Sequence, residues 1–429
     1  MRSILAILLL FLGTVTATAQ TSDSVVVQQL RTEGVQFSHD NTVTLLMHGQ
    51  EKFDDMFTAI RQARHSVHLE YFNFRNDSIA FLLFDILAQK AQEGVEVRAL
   101  FDAFGNSSNN RPLKNRHIRA LRERGIQIHE FDPLNFPWLN HVFGRDHRKI
   151  VIIDGQIAYT GGMNVADYYI KGTPAVGEWR DMHCRIEGST VNELQDIFIR
   201  AWEKVTHEDI AYSRYFNAGT TPMANQALYP QHPFNDLTHR PTPTDGHMMC
   251  GIVNREPHRT PKATRQFYYH AINSAQDTIR IINPYFTLIP KIRKAIVNAV
   301  RRGVVVQIMI AEPSDVPLTP DCVFYNANRL QRSGCQVWVY QPGFHHTKVI
   351  MVDGRYCTVG STNLDARSLR CDFEENVAII DPHITRQLTQ MFERDKLRSF
   401  QLTDGIYRQW RTPWQRFRGW FAHLLAPFL

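Results

Sequence analysis

Two distant stretches of the chain carry the same reactive side chains at the same spacing. The first is Asp146-His147-Arg148-Lys149-Ile150-Val151-Ile152-Ile153-Asp154-Gly155, followed by Gly161-Gly162-Met163-Asn164. The second is His345-His346-Thr347-Lys348-Val349-Ile350-Met351-Val352-Asp353-Gly354, followed by Gly360-Ser361-Thr362-Asn363. Both read HxKxxxxDG, and in both an Asn stands 17 positions after the His. A His and a Lys two apart on extended chain point to one face, so they can converge on one anion. The Ile/Val/Met run between them and the Asp reads as a buried strand, and Asp-Gly as the hairpin turn that ends it. The next strand, with its Gly-rich end, returns the Asn to the same edge. An imidazole can attack phosphorus or carry a proton near neutral pH. An ammonium and an amide can hold phosphate oxygens. A single HxK is an ordinary surface pattern and a single Asp-Gly an ordinary turn. Both sets complete, at matching places, point to chemistry instead. Two Lys beside two His would repel a cation, so neither a metal nor a cofactor is expected.

The elements that must position these groups also repeat. In the first half an apolar strand, Val67 to Phe72, precedes a helix from Asp77 to Glu93 that stops at Gly94. A strand from Val95 to Phe101, a helix from Lys114 to Arg124 and a strand from Ile126 to Phe131 follow. The second half has the strand Ile279 to Ile282, a helix ending in Arg301-Arg302, and the strand Val304 to Ile310. A helix to Ser333 and the strand Cys335 to Tyr340 complete it. Gly94 to Gly125 and Gly303 to Gly334 both span 31 positions, and Gly125 to Pro133 and Gly334 to Pro342 both span eight. Such alternation predicts a layered α/β architecture in each half. Packed about a pseudo-twofold axis, the halves would place six groups around one phosphate. Residues 205–247, rich in Pro, Thr, Asn and His, read as a surface connection.

The chain has 429 residues, 43% hydrophobic and 21% charged, with a net charge of +6. This excludes a disordered chain, a collagen-like fibre and a small disulfide scaffold. No internal run reaches the roughly 18 apolar residues of a spanning helix. Residues 1–19 have a basic start at Arg2, an apolar stretch from Ile4 to Leu12 and a small-x-small end at Ala17-Thr18-Ala19. That is the pattern of an export signal, with an uncleaved anchor as its rival. The six cysteines form no CxxC pair and read as free buried thiols. The division expected is 20–204 and 248–404 for the two domains, 205–247 for the connection and 405–429 for a C-terminal segment.

The paired HxKxxxxDG motifs, each followed by G[GS]xN, resemble the phospholipase D superfamily from about residue 40 to the C-terminus. Arg145-Asp146-His147-Arg148-Lys149-Ile150, Trp179-Arg180-Asp181, Asn283-Pro284-Tyr285-Phe286, and Asn363-Leu364-Asp365-Ala366-Arg367-Ser368-Leu369 running to Phe373-Glu374 are most similar to bacterial cardiolipin synthases. The closing Leu424-Leu425-Ala426-Pro427-Phe428-Leu429 is also similar. The usual pair of N-terminal transmembrane helices is missing, and the signal-like segment stands in its place. The resemblance implies two pseudo-twofold-related phospholipase D-like α/β/α sandwich domains with mixed central sheets. It also implies two-step phosphoryl transfer, with His147 as nucleophile and His346 as general acid and base. Lys149, Lys348, Asn164 and Asn363 would hold the phosphate oxygens. The near-symmetry of the motifs leaves the order of the two histidines open in the sequence itself.

Each imidazole needs an acidic partner to fix its tautomer. Asp181 and Glu374 are the candidates, each five positions before an Ile (Ile186 and Ile379) of a similar strand. Asp154 and Asp353, though part of the motif, read as loop-holding residues at the turns. Gly125 to His147 spans 22 positions against 12 from Gly334 to His346, so the first half carries ten extra residues. They fall within Leu134 to Phe143, either a lip toward lipid or a packing loop. Thr412 can cap a helix begun by Pro413, and Trp414, Phe417, Phe421, Leu424 and Phe428 recur at three- and four-residue steps among arginines. This suits an anionic membrane surface as partner, with a helix docked on the core as the alternative. The expected substrate is phosphatidylglycerol and no nucleic acid is expected. Phospholipid hydrolysis, an endonuclease and a non-catalytic membrane scaffold are the competing readings, and the oligomeric state is not legible.

Overall fold

The computed structural model describes residues 20–133, 143–211, 214–216, 247–316 and 319–425. The signal-like segment 1–19, residues 134–142 of the aromatic insert, most of the connection and Phe428 lie outside the described residues.

The repeat is realised in the sheet, with Ser399–Gln401 as an added edge strand in the second half. In the first half the order from one edge is Gln127–Phe131, Glu96–Asp102, Ser66–Tyr71, Ile150–Ile153, Ile157–Gly161, His183–Glu187 and Ser38–Leu46. The second half continues with Met248–Arg255, Glu374–Ile380, Tyr356–Gly360, Val349–Val352, Thr278–Ile282, Val305–Ala311, Gln336–Tyr340 and Ser399–Gln401. The three crossover-linked strands of each half are parallel and the hairpin strands antiparallel, so each central sheet is mixed. The two sheets are joined edge to edge where Ser38–Leu46 pairs with Met248–Arg255, giving one sheet of fifteen strands.

Helices cover both faces, which is why the strands read as near-continuous apolar runs. Ile150, Val151, Ile152 and Ile153 are all buried. Each such side chain contributes roughly 1.5–3 kcal/mol of transfer free energy. Helices Gly49–Gln62, Ser78–Gln92 and Asn115–Glu123 close one face of the first half around Leu69, Val97 and Val151. Helices Ala263–Ser274, Pro290–Arg301 and Thr319–Gln331 do the same in the second, around Ile281, Ile308 and Ile350. Helices Thr190–Thr206 and Pro382–Lys396 share the opposite face, and their core runs through both halves. Helix Ser22–Thr32, ahead of the first half in sequence, packs its Val26, Val27 and Leu30 into the core of the second.

The motif turns follow their sequence. Asp154 and Gly155 have φ of 54° and 66°, and Asp353 and Gly354 have 52° and 66°. These left-handed values suit a primed turn, closed by Gln156 N–H on the Ile153 carbonyl at 3.0 Å and by Arg355 N–H on the Val352 carbonyl at 2.9 Å, within a three-residue connection. Asp154 accepts the backbone N–H groups of Arg64, His65 and Ser66 at 2.7–2.9 Å. Asp353 accepts those of Gln276, Asp277 and Thr278 at 2.8–2.9 Å. Each carboxylate thereby ties the hairpin to the start of the neighbouring antiparallel strand, Ser66–Tyr71 in the first half and Thr278–Ile282 in the second.

Candidate active site

Both histidines lie just before a buried hairpin strand, and the backbone of the other half fixes each of them. His147 N–H donates to the Phe373 carbonyl at 3.0 Å, and His346 N–H donates to the Arg180 carbonyl at 2.7 Å. The acidic residue after each carbonyl then meets the ring. Nδ1 of His147 is 3.0 and 3.2 Å from the Glu374 carboxylate oxygens. Nδ1 of His346 is 2.7 Å from Asp181 Oδ2. Each imidazole is thus held by a carboxylate from the opposite half. With Nδ1–H donating to the carboxylate, Nε2 is left with the lone pair.

The lysines stand beside the rings. Lys149 Nζ donates to the His147 carbonyl, and Lys348 Nζ lies 2.8 and 3.1 Å from the His346 ring nitrogens. Lys348 Nζ is also 3.8 Å from Asp181. Asn164 and Asn363 follow the second hairpin strands, both buried. Their side-chain oxygens have no hydrogen-bond partner among the described residues. Asp154 and Asp353 are at the opposite end of the hairpin strands from the histidines, holding backbone.

Burial sets the protonation of these groups. It lowers His147 to about 4, against the pull of Glu374, and Lys149 and Lys348 push the same way as burial. His346 is lowered by burial and by Lys348. Burial brings Lys149 down to about 8 and also lowers Lys348. Burial opposes ionisation of Glu374, yet His147 and Lys149 hold it at about 2. Asp181 is likewise held low against burial, by Lys348 and His346. Charges of one motif act on the other: Lys348 on His147, Asp181 on Lys149, and Glu374 on Lys348.

The two ends differ in their walls. His346 sits among Phe344, Trp179 and Tyr285, with ring centroids 5.2–5.8 Å away. His147 meets Phe72 at 5.1 Å. Beside it, buried ion pairs hold the loop: Arg145 with Asp102 at 3.0 Å and Arg148 with Glu70 at 2.7 Å.

Several buried polar residues support the site without having been singled out in the sequence. Lys52 donates to the carbonyls of Met163 and Asn164 at 3.3 and 3.1 Å. His183 Nδ1 accepts from Met163 N–H at 3.2 Å, and Asn376 Oδ1 accepts from Thr362 N–H at 3.2 Å, the same support in the two halves. The Ser361 hydroxyl bonds the Glu374 and Glu375 carboxylates, and burial raises Glu375 to about 8. Ser361 and Glu375 were visible as the variable position of G[GS]xN and the second acid of Glu374-Glu375. Lys52, on a helix outside the motifs, gave no such signal.

This fold, with twin carboxylate-held histidines, is that of a phospholipase D-like protein. The fold matches the crystal structure of phosphatidylserine synthase from Haemophilus influenzae Rd KW20 with a TM-score of 0.69, covering 95% of this chain and 100% of that one at 16% identity. The sequence matches the family described as "Cardiolipin synthase, PLD-like domain" over residues 56–202 and 268–396. It is 35% identical over 382 residues to the "Probable cardiolipin synthase YwiE" of Bacillus subtilis (strain 168), covering 89% of this chain and 71% of that one. It is 33% identical over 400 residues to the cardiolipin synthase of Oceanobacillus iheyensis, covering 93% and 78%. The cardiolipin synthase of Staphylococcus aureus (strain Mu50) is 35% identical over 393 residues, covering 91% and 74%. The chain belongs to the cardiolipin synthase family of phospholipase D-like enzymes.

Proposed function

We propose that the enzyme moves a phosphatidyl group from one phosphatidylglycerol to another, forming cardiolipin and releasing glycerol. Nε2 of His147 attacks phosphorus, and the bond from phosphorus to the headgroup glycerol oxygen breaks. His346, which enters this step as the imidazolium with a proton on Nε2 and Asp181 on Nδ1, gives that proton to the oxygen and becomes neutral, and glycerol leaves a phosphatidyl group on His147. A hydroxyl of the second phosphatidylglycerol then attacks phosphorus, His346 takes its proton, and the phosphorus–nitrogen bond breaks. Lys149, Lys348, Asn164 and Asn363 hold the non-bridging oxygens as charge builds on them. Glu374 and Asp181 fix the two rings and stabilise the positive charge each acquires in turn. Asp154 and Asp353 hold the hairpins that carry the site.

The observation that carries this reading is the exchange of carboxylates. Each histidine is oriented by the other half, so two imidazoles with matched tautomers serve one phosphate. Exchange of one phosphodiester for another needs no nucleotide, which suits an exported, membrane-associated enzyme with residues 1–19 as its signal. The division into 20–204, 205–247, 248–404 and 405–429 belongs to the same proposal.

The test is to incubate the purified protein with phosphatidylglycerol vesicles and identify lipid products by mass. Cardiolipin with one glycerol per turnover supports the proposal. Phosphatidic acid as the sole product would replace it with hydrolysis.

A further inference from the structure

The C-terminal helix turns its apolar side outward. Helix Pro413–Leu425 begins at Thr412, whose hydroxyl accepts the Gln415 N–H at 3.2 Å. Its polar side packs on helix Thr319–Gln331. Arg418 pairs with Asp321 at 2.5 Å and Arg411, just ahead of the helix, at 3.4 Å. Arg329 reaches His423 at 2.9 Å. A Cβ on Gly419 would stand 2.3 Å from the Asp321 carbonyl, so close contact of the helices requires glycine there. This inward side is held by ion pairs and close backbone contact. What faces out is Trp414 at 63% exposure, Phe417 at 49%, Trp420 at 43%, Phe421 at 50% and Leu424 at 50%, with Trp410 at 39% just before them. These six are half of the large hydrophobic side chains that are exposed among the described residues. A face of that size and aromatic content marks an interaction surface.

Its position and charge indicate the occupant. Asp321, the anchor, lies in the first turn of a helix that follows Asp315. Asp315 accepts the Tyr285 hydroxyl at 2.5 Å, and the Tyr285 ring lies 5.8 Å from that of His346. The aromatic face is therefore carried at the end of the sheet where the histidines stand. Residues after Asp404 include Arg408, Arg411, Arg416 and Arg418 and no acid. Arg293 and Arg329 add positive charge near the far end, where they help burial to lower His423. Tryptophan and phenylalanine backed by arginine suit the headgroup region of an anionic bilayer.

We propose that this face is a preformed docking plate for an anionic phospholipid bilayer. Trp414, Phe417 and Phe421 enter the headgroup–acyl boundary and present the His346 end of the site to the membrane. The inference rests on the phosphatidyl-transfer reading only in taking that bilayer as the source of substrate.

The experiment uses the full chain and a Trp414→Ser/Phe417→Ser/Phe421→Ser variant, matched by thermal melting. Both are mixed with phosphatidylglycerol–phosphatidylcholine vesicles whose phosphatidylcholine carries brominated acyl chains. Tryptophan emission of the parent should be strongly quenched. The variant should lose most of that quenching and bind vesicles about tenfold more weakly. Turnover of a short-chain phosphatidylglycerol held below its micelle concentration should match within about twofold, since no bilayer is involved. Bound parent quenched no more than the variant would overturn the proposal. So would a variant that dissociates from a larger oligomer and still binds vesicles fully, since the face would then belong to a second copy. If instead phosphatidyl transfer were the wrong reading, neither protein would turn over the short-chain lipid while the quenching difference remained.

Discussion

The Glu374 carboxylate of the second half meets Nδ1 of His147 of the first half at 3.0 Å. Asp181 returns the exchange, reaching Nδ1 of His346 at 2.7 Å. Neither half alone supplies both an imidazole and the carboxylate that orients it, so the joined sheet is what orients the two rings. Glu374→Gln keeps the size of the side chain but removes the charge that stabilises the imidazolium and can favour the wrong tautomer. We expect kcat to fall by about 10²–10⁴ with little change in KM, as for removal of the buried carboxylate in other His-based sites. Steady-state kinetics on phosphatidylglycerol measure both. A kcat within threefold of the parent would mean that the carboxylate does not act through His147.

Lys149 gives the pH dependence. Burial pulls its ammonium down to about 8, so the charge is present below that pH and lost above it. kcat/KM for an anionic phosphodiester should therefore fall above about pH 8. Lys149→Arg keeps the charge across this range. It should move the alkaline limb up by about one unit or more, even if the rate at neutral pH is lower. An alkaline limb unchanged in the variant would assign it to another group.

Asp154 should affect stability and not chemistry. Its carboxylate accepts three backbone N–H groups from residues 64–66 and it has a φ of 54°. Asp154→Ala leaves those donors without that partner and strains the turn, costing about 2–4 kcal/mol. Denaturant unfolding should show this loss, while kcat of the folded variant stays within about threefold. A normal stability with kcat down a hundredfold would place Asp154 in the chemistry.

Burial shifts Glu375 in the opposite direction to Lys149. Burial raises it from 4.5 to about 8, so the native state keeps the proton while the unfolded chain releases it. The stability this provides is complete below about pH 4.5 and is lost as pH rises toward 8. Glu375→Gln removes that dependence. Between pH 5 and pH 8 the parent should lose more stability than the variant, by an amount on the order of 1–3 kcal/mol. Equal changes in the two proteins would contradict a protonated Glu375.

Much of this was legible in the sequence, for reasons that differ residue by residue. Gly94, Gly125, Gly303 and Gly334 all have φ near 90°, so they fixed the helix ends and with them the repeat. Asp154-Gly155 and Asp353-Gly354 are the residues such turns demand, so the hairpins were placed correctly. The need of an imidazole for a tautomer-fixing acid pointed to Asp181 and Glu374. Their exchange between halves was not legible, because it depends on the long-range pairing of Ser38–Leu46 with Met248–Arg255. The strand Ser38–Leu46 is itself polar, SHDNTVTLL, and carries little apolar signal at its start. Helix Ser22–Thr32 gave no sign of packing on the second half, since a local pattern shows which face is buried but not against what. Lys52 and His183 were missed because their role is set by contacts more than 15 residues away in the chain.

The central claim is that His147 bears the phosphatidyl group while His346 handles protons. The direct measurement uses His346→Ala with a phosphatidyl-4-nitrophenol, whose leaving group departs without a proton from His346, so the intermediate can form while its resolution is slowed. The variant is mixed with that substrate, quenched without acid, digested and mapped by mass. A phosphatidyl or phosphate adduct on the His147 peptide is the predicted result. No adduct on that peptide, together with one on His346 in a His147→Ala variant treated the same way, would contradict it.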